Sequence, residues 1–345
     1  MIDQLAKKIG EAQTKKPWAF IIVFLVAIAL VIPGIFLLVG NVEASLENVL
    51  PSTIDEISAM NHARTHYQAD MVHLLVEIEP PLTNVYDAQD YLGGLAQRLI
   101  TIPNVKHVRY ELNDQTTNQD DTRAVIDLQT DTGTSSARIT TTLIEIEEVI
   151  RAEQDNNPGV IITPTGFAAI DRATFSTIMS DFLVITGVAM FFIFIIVFGM
   201  FRKLRDTLIP MAAVMTALII TMGVTGYLGT TITVVTMVAA AMILGLGIDF
   251  GIHIIHSYNE YKKTRTTKQA IKRTVNELFR AQLGASATTS AGFLALALGV
   301  LPAMADLGIV LAIGIVSTFL ASTLLLPPLL LITEQQKKQP RGTKQ

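Results

Sequence analysis

Five long stretches of the chain contain no aspartate, glutamate, lysine or arginine, and they constrain the fold more than any other feature. The stretches are residues 17–42, 182–201, 207–248, 281–305 and 307–333. A helix that crosses a bilayer needs about 20 apolar residues, each adding about 1.5 Å of length. Four of the stretches fit one such helix each. The sequence therefore predicts a membrane protein with several transmembrane helices.

The stretch at 207–248 is too long for one crossing, since as a single helix it would extend about 63 Å. A turn at 227–231 divides it and brings the predicted number of spans to six. In chain order, TM1 to TM6 are expected at 17–39, 181–201, 207–227, 232–256, 284–303 and 308–332. TM1 is longer than the apolar core of a signal peptide, and no small-x-small cleavage site follows it. We therefore predict that TM1 is an uncleaved anchor.

Basic residues indicate the orientation of these spans. Of the 26 lysines and arginines, 18 lie in the N-terminus 1–16, the TM2–TM3 and TM4–TM5 connections or the tail 333–345. The segment 41–180 holds the other eight, against 21 acidic residues. Because cytoplasmic loops carry the excess of basic residues, both termini are predicted to be cytoplasmic and 41–180 extracytoplasmic. We expect a multi-pass protein of the plasma (inner) membrane, with TM2–TM6 forming a bundle over 181–332.

The segment 41–180 has the residue pattern of an α+β domain. A helix start is expected at Pro51–Glu56, where Thr53 and Glu56 have capping-box spacing. Strands are then expected at 71–79, 105–112, 123–130 and 160–163, and helices at 87–100 and 135–154. This β-α-β-β-α-β order is the ferredoxin-like arrangement, and two unrelated βαβ fragments are the alternative. The predicted fold class is a polytopic α-helical membrane protein with six transmembrane helices and one such domain between TM1 and TM2.

The connection between TM4 and TM5 is predicted to form an amphipathic cytoplasmic helix at 266–282. Its apolar residues fall at helical spacing, and its basic residues lie opposite to them. A basic amphipathic helix beside membrane spans is expected to lie along the interface and contact lipid. We expect no nucleic acid partner, because no aromatic or base-reading pattern accompanies the charge.

One carboxylate interrupts TM4 and is the strongest candidate for a functional residue. Asp249 lies about two thirds of the way toward the cytoplasmic end, and His253 and His256 follow it on the same helical face. A charge in the membrane costs about 2.5–3.5 kcal/mol on insertion scales, and such residues usually serve transport or proton relay. We therefore predict a proton relay through Asp249 and His253, with His256 in support. In the alternative without a relay, Asp249 lies at the membrane edge and both histidine side chains extend toward the interface.

Small residues surround this candidate relay in the sequence. Gly245, Gly247 and Gly251 are expected to let another helix pack closely against TM4. The start of TM5 is rich in hydroxyl groups, and those of Thr288, Thr289 and Ser290 are candidates to bond Asp249 or to hold water near it. Simple helix packing through small residues explains the same composition.

Several classes of function are excluded or disfavoured. The chain has no cysteine, which excludes a disulfide scaffold, a zinc–thiolate site and a thiol nucleophile. We find no nucleotide-binding loop and no nucleophile–base pair, so we expect neither an enzyme nor a cofactor. His62, His66 and His73 of the segment 41–180 are candidate metal ligands, the first two at a spacing of four residues, but a solvated helix face explains them better. We therefore predict no metal site.

With the topology above, the run Gly245-Leu246-Gly247-Ile248-Asp249-Phe250-Gly251-Ile252-His253 resembles the resistance–nodulation–division (RND) superfamily. The run looks most like its MmpL/hopanoid-exporter branch, and TM2–TM6 also resemble the sterol-sensing domain. The segment 41–180 is similar to the porter domain, with Thr165-Gly166 at its exit. The resemblance implies proton-driven export of a lipid or other amphiphile. It also implies that the coupling carboxylate is Asp249 and that the TM5 hydroxyl region is Thr288–Ser290.

Two departures from the RND pattern matter. Phe250 stands where some drug exporters have a second aspartate and many MmpL-like proteins a tyrosine, so no carboxylate pair exists here. Typical members also carry two six-span repeats, whereas this chain has one. A homodimer or higher homo-oligomer would restore the paired arrangement, and a second, different half is the alternative.

Two other functions remain open from the sequence. A protein-translocation accessory of the SecD/SecF kind shares this topology, although its fourth span usually has a different pattern. A lipid-sensing or scaffold protein without transport would carry no proton flux. The sequence leaves open the substrate, the direction of transport and whether the coupling ion is a proton or sodium.

Overall fold

The computed structural model describes residues 2–41, 70–113, 116–132, 136–154, 159–233 and 235–338, together with positions 55, 58, 59 and 157. Apart from Asp55, the predicted helix start at 51–56 lies outside the described residues, as do His62 and His66. The chain forms two compact units. We call them the helical unit, Met1–Val42 with Met179–Gln345, and the sheet unit, Glu43–Ile178.

Most of the described chain is helical, with a small antiparallel sheet. The helices are α1 (Ile2–Lys15), α2 (Pro17–Gly40), α3 (Gln89–Leu99), α4 (Ser136–Gln154), α5 (Phe167–Phe201), α6 (Leu204–Tyr227), α7 (Ala239–Lys262), α8 (Thr267–Leu294), α9 (Pro302–Leu320) and α10 (Leu326–Lys338). The strands are β1 (Asp70–Ile78), β2 (Val105–Arg109), β3 (Arg123–Thr130) and β4 (Val160–Thr165). Short 3₁₀ turns lie at Val85–Ala88, Thr236–Val238 and Ala295–Leu298, and a π-helical segment, Ala321–Leu325, joins α9 to α10.

The sheet unit contains one four-stranded sheet with the strand order β2-β3-β1-β4. Every neighbouring pair is antiparallel, and Leu74 on β1 faces Ile126 on β3. Side chains of β3 alternate between buried and more exposed positions, because successive residues of a strand point to opposite faces. The buried face joins leucine and isoleucine side chains of α3 and α4, including Leu95 and Ile146, in one core.

Five helical segments of the described chain are long and apolar enough to cross a membrane. They are Pro17–Gly40, Ser180–Phe201, Leu204–Tyr227, Thr236–Lys262 and Pro302–Gln335. These segments contain most of the residues predicted for TM1, TM2, TM3, TM4 and TM6. The remaining predicted span, TM5, overlaps α8, which is not among the five. The total of six spans therefore stays a prediction.

The region of TM5 differs from the sequence prediction. An amphipathic helix at 266–282 and a separate span at 284–303 were expected, but α8 runs without interruption from Thr267 to Leu294. A capping box between Thr266 and Gln269 fixes its start. A single interior glycine costs a helix only about 1 kcal/mol, so Gly284 does not end it. The helix ends instead before the 3₁₀ turn Ala295–Leu298.

One buried stripe explains why α8 continues through this point. Its members follow one another at intervals of three or four residues, which places them on the same face of a helix. They are Ile271, Val275, Phe279, Gln282, Ser286 and Ser290. Because the same face is buried on both sides of Gly284, packing favours one straight helix over two.

The helix of TM4 also starts later than the predicted residue 232. The hydroxyl of Thr236 accepts a hydrogen bond from the Thr233 N–H at 2.7 Å, and Thr233 lies ahead of the 3₁₀ turn Thr236–Val238 that leads into α7. The segment before it is tied to the predicted link between TM5 and TM6. The Asp306 carboxylate accepts hydrogen bonds from the Thr231 hydroxyl at 2.7 Å and the Thr231 N–H at 3.1 Å. At the start of this helix, threonine side chains thus take hydrogen bonds that the backbone would otherwise form within the helix.

Helices α2 and α6 cross at glycines. A Cβ atom on Gly34 would overlap the Gly223 carbonyl, and one on Gly226 would overlap the Gly34 carbonyl. Small residues allow helix backbones to approach closely in membranes. The Tyr227 hydroxyl adds a hydrogen bond to the Leu30 carbonyl at 2.9 Å. The first apolar helix is therefore fixed to the helical unit by direct backbone contact.

Candidate functional site

Helix α7 has one buried face and one exposed face. Asp249, His253 and His256 all lie on the exposed face, which also includes Gly245 and Leu246. Their spacing of four and three residues keeps the three titratable groups in one row along the helix. The described residues provide no ion pair or side-chain hydrogen bond for Asp249. The structure thus leaves an ionisable row on the outside of the helical unit.

The three glycines of α7 differ in what surrounds them. A Cβ atom on Gly247 would overlap the Thr318 side chain, and one on Gly251 would lie 2.7 Å from Cβ of Pro210. These two positions allow α7 to pack against α9 and α6. Gly245 has nothing within 4 Å of such an atom, so it does not serve packing within this chain. The predicted role of Gly245 in close packing therefore has no counterpart inside the helical unit and stays a prediction.

The predicted hydroxyl support for Asp249 is also absent among the described contacts. Thr288 is exposed and donates its hydroxyl hydrogen to the Gly284 carbonyl of its own helix at 3.0 Å. Ser290 is buried and donates to the Ala312 carbonyl of α9 at 3.2 Å. Thr289 is half-buried. Hydroxyl groups in an apolar helix commonly bond to backbone carbonyls, as Thr288 and Ser290 do here, so their support of Asp249 stays a prediction.

Phe250 packs on the side of α7 that faces its neighbouring helices. Its ring contacts Phe319 at a centroid distance of 6.3 Å, and Phe319 contacts Phe279 at 5.8 Å. Ala6 of α1 belongs to the same apolar cluster. Phe250, which the resemblance matches to a second aspartate or a tyrosine, is therefore part of an aromatic contact between α7, α8 and α9.

A chain of buried amide and hydroxyl groups reaches the backbone beside Asp249. Gln282 of α8 donates a hydrogen bond from Nε2 to the Phe250 carbonyl at 2.9 Å. The Oε1 atom of Gln282 accepts from the Thr323 hydroxyl at 3.4 Å. Gln13 of α1 donates from Nε2 to the Thr323 carbonyl at 2.7 Å. We call Gln13, Thr323, Gln282 and the Phe250 carbonyl the amide chain.

The π-helical segment provides the attachment point for α1. In a π turn the hydrogen bonds skip one residue farther than in an α-helix, and such segments are frequent at functional sites. Thr323 lies within Ala321–Leu325, and its carbonyl is the one that accepts from Gln13. All three side chains of the amide chain are buried. The hydrogen bonds connect α1, α7, α8 and the π-helical segment, while the Oε1 atom of Gln13 is buried without a hydrogen-bond partner among the described residues.

Sequence reasoning missed the amide chain, although one signal was present. Gln282 lies at the start of the charge-free stretch 281–305, where an amide side chain is unusual. Its burial also continues the apolar face formed by Val275 and Phe279. Gln13 gave no comparable signal, because a glutamine on an amphipathic N-terminal helix is ordinary.

A network of charged groups connects the ends of α6, α7 and α10. Asp206 is fully buried and lies 2.8 Å from Nη2 of Arg205. Asn259 donates a hydrogen bond to Asp206 at 3.1 Å. Glu334 pairs with Arg205 and, at 3.1 Å, with Lys262. These contacts hold three helices together, and no local sequence pattern predicts them.

The sheet unit contains a separate polar cluster that involves His73. Its Nδ1 atom lies 2.7 Å from Oδ1 of Asp127, and Arg109 donates to Asp127 Oδ2. Burial raises the pKa of the Asp127 carboxyl, but the hydrogen bonds from His73 and Arg109 outweigh it and bring the pKa below its ordinary value. Among the described residues, no group of three or more metal-ligand side chains occurs.

This cluster predicts a pH-dependent contribution to the stability of the sheet unit. The lowered pKa of Asp127 means that its stabilising effect is present above pH 3.8 and disappears as the pH falls through the folded-state value. We expect Asp127→Asn to cost about 1.5–3 kcal/mol at pH 7, since hydrogen bonds to charged groups contribute about that much, and to cost less as the pH falls below 3.8. Hydrogen exchange of β1 and β3 amides in the intact protein measures this, with exposed Asp90→Asn as the control. An equal cost at pH 7 and below pH 3.8 would contradict the prediction.

Comparison with known proteins extends over almost the whole chain. A profile of the MMPL family matches residues 44–345. A protein of Methanocaldococcus jannaschii that is described as a membrane protein is 27% identical over an alignment of 373 positions. The alignment covers 97% of this chain and 95% of that relative. The two chains are therefore similar from end to end and of similar length.

Proposed function

The chain belongs to the MMPL family of the RND superfamily, and from this premise we propose that it is a proton-driven exporter of lipids or other hydrophobic molecules. Membership of this family indicates an RND-type transporter of hydrophobic substrates. The proton is the proposed coupling ion, and Asp249 is the proposed carrier of that proton. His253 and His256 form the proposed path along α7.

The exposed row on α7 is the observation that carries this proposal. An ionisable group within an apolar helix is costly unless it faces protein or water, and such groups commonly mark ion pathways. Asp249 follows directly after a charge-free stretch of 42 residues, 207–248, and lies on one face with two histidines. A charge that moves across 100 mV gains about 2.3 kcal/mol, which is enough to bias a two-state helix bundle.

Proton flux in proteoliposomes under an imposed pH gradient tests the proposed coupling. With the outer medium more acidic than the lumen, we expect protons to enter the lumen. This flux should depend on a hydrophobic substrate in the membrane. The same assay with a sodium gradient at constant pH separates the two candidate ions. A protein with neither flux would be a lipid sensor or scaffold, and flux that depends on a translocating polypeptide would favour the SecD/SecF-like alternative.

The sheet unit supports the proposed porter role. Its element order β-α-β-β-α-β and its strand order β2-β3-β1-β4 agree with a ferredoxin-like domain, which we propose it to be. In the proposed plasma-membrane orientation this domain is extracytoplasmic and both termini are cytoplasmic. Because the chain has no cysteine, single cysteines at Gln119 and Lys338 are clean probes. We expect an impermeant maleimide to label only Gln119→Cys in intact cells, and labelling of both would overturn this orientation.

We further propose that the exporter is a homo-oligomer, with the α7 faces of two copies close to each other. The row that contains Asp249 needs a polar environment, and Gly245 provides room for another helix because nothing lies within 4 Å of its missing Cβ. We expect Gly245→Cys to form a disulfide-linked dimer on mild oxidation in membranes. Gly199→Cys, also in open space but on α5, is the matched control. A purely monomeric Gly245→Cys protein would contradict this arrangement.

A further inference from the structure

A groove between α1 and α8 is lined mostly by cationic side chains. It encloses about 420 Å³. Its lining residues are Lys7, Glu11, Arg265, Gln269, Lys272, Arg273 and Asn276. Four positive groups therefore meet one negative group in a space large enough for a small polar ligand.

Helix packing holds the walls of this groove in place. A Cβ atom on Gly10 would lie 3.3 Å from the Cα atom of Lys272, so the backbones of α1 and α8 are close at this point. The guanidinium groups of Arg265 and Arg273 lie 5.2 and 5.9 Å from the centre of the Tyr261 ring. Such cation–π contacts limit the positions that the two side chains adopt. The cations thus converge because of the fold.

Little negative charge within the chain balances these groups. Among the described residues, Lys7, Arg265 and Lys272 form no ion pair, and Arg273 pairs with Glu277 only at 3.9 Å. Asn276 also lines the groove, but its Oδ1 atom is closed off from solvent and has no hydrogen-bond partner among the described residues. A buried acceptor without a partner costs free energy, as does a group of like charges. A ligand with anionic oxygens would balance the excess positive charge of the groove.

One wall of the groove, α1, leads into the first apolar helix. Only Lys16 separates α1 from α2, and Trp18 at the start of α2 is 60% exposed. Tryptophan is enriched where membrane meets water, and clusters of lysine and arginine beside a span attract anionic lipids. We propose that this groove binds the phosphate group of an anionic phospholipid through its four cationic side chains. This site is independent of the proposed proton coupling.

Lipid binding by the purified full-length protein tests the site. The probes are dioleoyl phosphatidylglycerol and dioleoyl phosphatidylcholine, and native mass spectrometry counts the retained lipids. We expect wild type to retain phosphatidylglycerol preferentially. The double variant Lys7→Gln/Lys272→Gln should weaken this preference at least about tenfold, since each basic residue near the surface contributes to anionic lipid binding. The variant Lys8→Gln/Lys268→Gln removes the same charge from the same helices outside the groove and should retain it.

A variant that is expected to bind the lipid more strongly excludes misfolding as the explanation for weaker binding. Glu11→Gln removes the one carboxylate of the groove and should strengthen phosphatidylglycerol binding. Competition with inorganic phosphate and with glycerol 3-phosphate distinguishes a lipid from a soluble phosphate ester. Tight binding of either soluble anion supports the phosphate site but assigns it a soluble source. Equal retention of both lipids by wild type, or equal losses in the groove and control variants, would overturn the proposal.

Discussion

Replacement of Asp249 by asparagine is expected to abolish proton-coupled transport completely. Asparagine has nearly the same volume and keeps the hydrogen-bonding capacity, but it cannot bind and release a proton. Since Asp249 lies on the exposed face of α7, the substitution leaves the buried helix contacts unchanged. We expect normal expression and normal oligomeric state. The measurement is proton flux and substrate efflux in proteoliposomes under an imposed pH gradient.

Glu260→Gln is the matched control for this experiment. Glu260 is exposed on the same helix and pairs with Lys263 at 2.6 Å, near the end of α7. Its loss removes an equal charge and should leave transport nearly unchanged. Transport at the wild-type rate by Asp249→Asn would remove this carboxylate from the mechanism. If Asp249→Asn fails to fold, Asp249→Glu keeps the ionisable group, and a folded but inactive Asp249→Glu protein would also contradict the relay.

The two histidines of the row should matter to different degrees. His253 lies one turn from Asp249, so His253→Ala should lose part of the activity, with water replacing the imidazole. His256 is a further three residues toward the end of α7, so His256→Ala should have the smallest effect. The order of these effects follows from their distance along the helix from the proposed proton carrier.

Substitution of Gln282 by leucine is expected to reduce coupled transport at least about tenfold while the helical unit stays folded. Leucine cannot donate to the Phe250 carbonyl or accept from Thr323. A hydrogen bond between membrane helices contributes about 0.6 kcal/mol on average, which is too little to unfold the unit. The lost contact lies one residue from Asp249, however, and small errors in position reduce rates strongly. The assay is again proton flux, measured as a function of pH.

Ser286→Ala is the matched control for Gln282→Leu. Ser286 lies four residues farther along the same buried stripe of α8 and makes no described contact with the α7 backbone. A positioning role for Gln282 predicts an altered pH profile as well as a lower rate. Loss of protein stability alone would lower the rate without altering the profile. An unchanged rate and profile in Gln282→Leu would show that the amide chain is not connected to proton coupling.

Local sequence patterns were sufficient for the strands of the sheet unit. Alternation of apolar and polar residues predicted 123–130, which are the bounds of β3, and located β1 within one residue at each end. Strand alternation is a local property, since each side chain faces either the core or the other side. The apolar stretches likewise located the long helices. The ends of these helices differed from the predicted residues, because threonine hydrogen bonds and capping boxes determine where a helix begins.

Contacts between distant helices could not be predicted from one sequence. Charge and hydropathy showed that Asp249 and the histidines share a face, but gave no sign that Phe250 packs against Phe319. The hydroxyls of Thr288 and Ser290 were expected near Asp249, yet they bond to the carbonyls of Gly284 and Ala312. The partner of a side chain in a bundle depends on helix rotation and depth, which hydropathy does not specify.

The π-helical segment has a consequence for how relatives of this chain should be compared. A π turn accommodates one surplus residue, and the helix on either side keeps its α-helical phase as though that residue were absent. Deletion of one residue from Ala321–Leu325 would therefore leave Phe319 and Glu334 facing their present partners. It would return the Thr323 carbonyl to an ordinary backbone bond and release Gln13. A one-residue gap at this point in an alignment would thus mark a relative whose N-terminal helix is held in another way.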